Sequence, residues 1–117
     1  IFTDLDGVLV KNSPEYGSIS WGNADGIEKN IRYLNSLFDS GKCYIVITTS
    51  RKEEYKDITI KQLNTLGIKH HKIIFDLPHC QRILVNDYAK SNPFPSCQSI
   101  NIKRDAPDLE DMMSGQF

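Results

Sequence analysis

Phe2-Thr3-Asp4-Leu5-Asp6-Gly7-Val8-Leu9-Val10 opens the chain with a short apolar run that stops on two carboxylates and a glycine. Residues 1–5 read as a β-strand, and Asp4 and Asp6 then stand at its carboxyl end, where open α/β sheets collect their ligands. Two carboxylates this close repel each other unless a cation lies between them. An oxygen-only pair suits a hard ion such as Mg2+, which takes one or two carboxylates together with substrate phosphate and water. Gly7 lets the chain turn sharply away. Asp-Leu-Asp-Gly is also an ordinary turn sequence, so the rest of the chain has to decide between turn and site.

Working outward, residues 11–22 carry Asn, Ser, Pro and Gly and read as a loop. Residues 24–40 place Ile27, Ile31, Leu34, Leu37 and Phe38 at helical spacing, with Gly41 as the stop. Cys43-Tyr44-Ile45-Val46-Ile47-Thr48 is a continuous β-type run of the kind buried in parallel sheets. A second helix is predicted over 53–66, closed by Gly67, followed by strands at 72–75, 82–85 and 99–102. Alternating strands and helices define an α/β fold with a mostly parallel central sheet. Only residues 76–81 separate the third and fourth predicted strands, which is short for a parallel crossover.

The other strand ends tip the reading toward a site. Thr48-Thr49-Ser50-Arg51 ends the second run in hydroxyls and a cation, groups that hold phosphate oxygens. Ile83-Leu84-Val85-Asn86-Asp87 ends another run on an acid. Three apolar runs thus finish on groups suited to a metal or a phosphate.

Asp4-Leu5-Asp6-Gly7-Val8-Leu9 resembles the first motif of the haloacid dehalogenase-like hydrolases. Thr49-Ser50-Arg51 is similar to their second motif and Asn86-Asp87 to their acidic fourth motif, so the likeness spans about residues 1–105. The resemblance implies a Rossmann-like three-layer domain without a cap, performing Mg2+-assisted phosphoryl transfer. It implies Asp4 as the nucleophile that forms an aspartyl phosphate, and Asp6 as the acid that protonates the leaving oxygen and then activates water. Thr49 would bond the transferring group, with Ser50, Arg51 and Asn86 as further substrate contacts. The metal would sit on Asp4, the backbone carbonyl of Asp6, and Asp87. The family's third-motif cation has no lysine in its usual place: Phe75-Asp76-Leu77-Pro78 stands there. Arg82 is the nearest candidate, with Arg51 and Lys90 as alternatives. Nothing in the chain is long enough for a folded cap. Selectivity is therefore expected from short loops, such as that bearing Tyr16 and Trp21, from a second subunit, or from a large substrate.

Composition limits the alternatives. A chain of 117 residues, 39% apolar and 25% charged, suits a single domain over 1–117. Ile1 already reads as strand, so a few residues are expected upstream. A net charge of −1 gives no electrostatic reason for nucleic-acid or membrane binding, and no apolar run approaches the roughly 20 residues of a membrane span. Three cysteines, Cys43, Cys80 and Cys97, without a CxxC pair, read as free thiols of a reducing, cytoplasmic setting. His70, His71 and His79 read as surface histidines, and the acidic residues 105–111 as a solvated helix end or a disordered terminus. The expected activity is a phosphatase of a small phosphorylated metabolite such as a sugar phosphate. The alternatives are a relative that binds a phosphorylated ligand with little turnover, and a phosphatase of phosphoprotein or nucleic-acid ends.

Overall fold

The computed structural model describes residues 1–12 and 24–115. Three parallel strands form one sheet in the order β1 (Phe2–Asp4), β2 (Val46–Thr48), β3 (Lys72–Ile74). The register aligns Asp4 with Thr48 and Thr48 with Ile74, so the three carboxyl ends finish level. Helix α1 (Glu28–Asp39) links β1 to β2 and helix α2 (Lys56–Leu66), entered through a 3-10 turn at Glu53–Tyr55, links β2 to β3. Gly67 ends α2 at φ 69°, a left-handed cap whose N–H bonds back to Asn64.

The core follows from the pattern. Ile31 and Leu34 of α1 and Leu63 of α2 join Leu5, Leu9, Val10, Ile45 and Ile47 in one buried cluster. Ile45 and Ile47 are alternate residues and therefore share a face, so both crossover helices cover that same face. This is what right-handed connections between adjacent parallel strands produce. The three-layer arrangement expected from the resemblance would place helices on both faces; the small α/β sheet seen here has its two crossover helices on one.

Two expected strands are absent from the described residues. Neither 82–85 nor 99–102 joins a ladder, and Ile83 and Val85 are 81% and 88% exposed. A strand persists only where its backbone groups find partners, and the six-residue connector 76–81 gives the chain no parallel crossover back into the sheet. Of the two forms expected for residues 105–111, the helix end is the one seen, and it is not wholly solvated. They lead into a short helix, α3 (Leu109–Met113), which packs on α1 with Leu109 and Met113 buried. No described helix is long and apolar enough to cross a membrane.

Candidate active site

Asp4 is the last residue of β1, and Thr49, Ser50 and Arg51 follow β2 directly. Level strand ends bring these residues to one rim. Asp4 Oδ1 accepts the Leu5 N–H at 2.9 Å. Gly7 turns the chain at φ 89° and its N–H closes on Val10 O at 2.7 Å, a tight loop that fixes Asp6 beside the strand end. Burial pushes the Asp4 carboxyl above its ordinary value. The Leu5 hydrogen bond and then the charge of Arg82 work against that rise, the charge of Asp6 adds to it, and His79 lowers it.

The connector after β3 is held across the tip of β2. Thr49 donates its N–H to Ile74 O at 2.9 Å, Asp76 donates to Arg51 O at 2.9 Å, and Leu77 donates to Thr49 O at 3.1 Å. The chain is thereby led back from β3 toward β1. Arg82 arrives with Nη2 3.5 Å from Ser50 Oγ, and its charge acts on Asp4. Of the three cations considered for the third-motif role, Arg82 is the one whose charge bears on Asp4, though no ion pair joins the two among the described residues.

Arg51 has a different place. Its Nε donates to Asp6 Oδ2 at 3.0 Å and its Nη2 to Asp6 Oδ1 at 2.8 Å, a two-pronged grip on one carboxylate. Nη1 donates to Gln62 Oε1 at 2.8 Å and to Thr59 Oγ1 at 3.2 Å, and the side chain is 1% exposed. Gln62 passes the connection on to Ala24 O at 3.1 Å, ahead of α1. Arg51 is thus an internal tie between the Asp6 loop and α2. Thr49 is fully buried; its Oγ1 accepts the Arg51 N–H at 3.1 Å, which leaves the hydroxyl proton to be donated elsewhere.

The fourth-motif residues stand apart. Asn86 and Asp87 are exposed; Asn86 Nδ2 donates to Ser96 O at 3.1 Å, and Asp87 O accepts from Asn92 Nδ2 at 3.0 Å. Lys90 is exposed within the turn closed by Ala89 and Asn92. Among the described residues, no group of three or more His, Cys, Asp or Glu side chains stands ready to hold a metal ion. Asp87 is therefore not gathered with Asp4 and Asp6 into such a group. The loop residues Tyr16 and Trp21 lie outside the described residues.

Sequence reasoning missed Thr59, Gln62 and Asn30, all buried and all hydrogen-bonded. Each is a polar residue at a position where helical periodicity calls for an apolar one, but its partner lies on a segment distant in sequence and leaves no local signal. Compared with protein-family models, with curated proteins and with solved structures, the chain matches none.

Proposed function

We propose that the chain is a phosphomonoester hydrolase acting through an aspartyl phosphate on Asp4, with a small phosphorylated metabolite such as a sugar phosphate as substrate. The observation that supports it most is the gathering of a half-buried Asp4 with Thr49 and Ser50 at the level ends of β1 and β2, where the Arg82 guanidinium stands 3.5 Å from Ser50 Oγ. A carboxylate nucleophile, a cation for the transferring phosphoryl oxygens and hydroxyl donors are what positioning and charge stabilisation of this reaction require.

In this reading an ionised Asp4 oxygen attacks phosphorus, the ester P–O bond breaks, and the leaving oxygen takes a proton. Water then attacks the phosphoenzyme, releasing inorganic phosphate and restoring Asp4. Asp6 is the nearest acid for both proton transfers, and it performs them by turning out of the Arg51 grip. The reading carries with it a Rossmann-like, capless domain, a cytoplasmic setting and Mg2+ as cofactor. No step is routed through the ion, because Asp87 is not assembled with Asp4 and Asp6.

The Arg51–Asp6 grip favours a second reading, a module that holds a phosphorylated ligand without turning it over. Phosphate release from p-nitrophenyl phosphate, with Mg2+ and with EDTA, separates the two. The hydrolase reading expects Mg2+-dependent release by the wild type and at least a 1,000-fold loss in Asp4→Asn, roughly what removal of a covalent nucleophile produces. Activity surviving undiminished in Asp4→Asn would rule the mechanism out. Orthovanadate binding without any turnover would establish the binding module instead.

A further inference from the structure

The loop that follows Asp4 and carries Asp6 is covered by a segment distant in sequence. Asp105 donates its N–H to Gly7 O at 2.8 Å, and Asp105 Oδ1 accepts the Asn12 N–H at 2.8 Å. Asp105 itself sits at φ 64° and Ala106 N–H closes a turn on Lys103 O at 3.0 Å. Asn30 Nδ2 bonds both Val8 O at 2.7 Å and Ala106 O at 2.9 Å, which fastens the far end of the same strap to the same loop. A segment nearly a hundred residues away in sequence is therefore fixed on the turn that follows Asp6.

That strap delivers a cation to the rim. The Arg104 stem lies on Gly7 so closely that a Cβ there would stand 3.2 Å from Arg104 Cγ. A glycine at this position thus serves two demands, the positive φ and the space for Arg104. Lys103 precedes Arg104 and Lys11 adjoins Asn12, and all three side chains are exposed. None of the three belongs to an ion pair seen among the described residues, whose pairs are Arg51–Asp6, Lys52–Asp76, Lys56–Glu53 and Lys69–Asp39. Arg82 reaches the rim separately, at Ser50 beyond the end of β2.

From this we infer that Arg104, supported by Lys103 and Lys11, forms a subsite for a second anionic group of the substrate, a carboxylate or a further phosphate beyond the one transferred. The inference rests on the hydrolase reading and adds the substrate class to it. A guanidinium held over a turn by its own stem is pre-organised for two-pronged recognition of an oxyanion. The strap supplies that anchoring without a cap domain.

The test uses 4-carboxyphenyl phosphate and phenyl phosphate, which differ by one remote carboxylate. The wild type is expected to show a KM about tenfold lower for the carboxylated ester, the scale of one charge-assisted hydrogen bond, with little difference in kcat. Arg104→Gln keeps the stem against Gly7 and should erase that preference; Arg104→Lys should restore part of it; thermal unfolding should stay level in both. Affinities are also read by titration calorimetry in Asp4→Asn and in Asp4→Asn/Arg104→Gln, where turnover plays no part. Equal affinity for the two esters in Asp4→Asn, or an unchanged preference in the Arg104→Gln background, overturns the subsite. Failure of the wild type to hydrolyse either ester defeats the hydrolase reading alone, because the calorimetric comparison still decides the subsite.

Discussion

Arg51 places a guanidinium in the interior and satisfies it with Asp6, Thr59 and Gln62. Removing the cation leaves a partly enclosed carboxylate and two helix side chains without their partner. Breaking one side of a buried pair costs about 3–5 kcal/mol, and Asp6 keeps 23% of its exposure, so the lower end applies. Arg51→Ala is expected to lose about 3 kcal/mol in urea unfolding. Arg51→Lys should recover only part of it, since an ammonium cannot grip both carboxylate oxygens in one plane. Asp4 works in the opposite sense. Burial raises its folded-state value above the ordinary 3.8, so the native state holds the proton more tightly than the unfolded chain. Stability then falls as pH rises from 3.8 through that raised value, and the ionised group remains unfavourable at neutral pH. Asp4→Asn should therefore unfold at higher denaturant than wild type at pH 7 in EDTA, and the gain should vanish near pH 3. A variant that is less stable at pH 7 would contradict the burial argument.

On α2, positions 59, 62, 63 and 66 make one face, and two of the four are polar. Thr59 and Gln62 face inward because Arg51 is there to receive them. Asn30 plays the same part on α1, where Ile27, Ile31 and Leu34 are buried around it. Its amide reaches Val8 O and Ala106 O, and its Oδ1 accepts the Leu109 N–H at 3.2 Å. Asn30→Leu preserves volume but strands these backbone groups, at about 1–3 kcal/mol. The loss should be local. Hydrogen exchange at Leu109 and cleavage by trypsin at Lys103 or Arg104 should accelerate, while the amides of β2 keep their protection. Uniform loss across the chain would show that α3 and the strap do not detach as a unit. The two main helices were readable because their apolar residues recur at 3.6-residue spacing, and Gly41 and Gly67 marked their ends. The polar contacts within them were not, since an inward Gln or Asn is recognised only once its partner from a distant segment is known. Asp4, Asp6 and Thr49 were legible for a simpler reason: each ends a β-type run or follows it by one or two residues, so strand termini locate them. The placement of Arg82 needed the connector hydrogen bonds from Asp76 and Leu77, which no local pattern encodes.

At the scale of the whole molecule the conflict between pattern and structure sits in residues 82–85. Their β-branched, apolar composition predicts a buried strand, yet Ile83, Leu84 and Val85 are exposed and no described strand pairs with the second edge of β1. Local propensity alone cannot hold a strand, because its N–H and C=O groups need a ladder and the packing of a half-buried face. An apolar β-type segment beside an unpaired edge is also a self-association hazard. The two descriptions make opposite forecasts for Ile83→Lys/Val85→Lys. If the side chains stand in solvent, the double variant should match wild-type stability to within about 0.5 kcal/mol, as surface changes do. Analytical ultracentrifugation should also show it forming no larger species than wild type at equal concentration. Burial against the sheet would instead make the same substitutions cost several kcal/mol, since each lysine would place a charge in the core. A large destabilisation would contradict the solvent exposure of Ile83 and Val85.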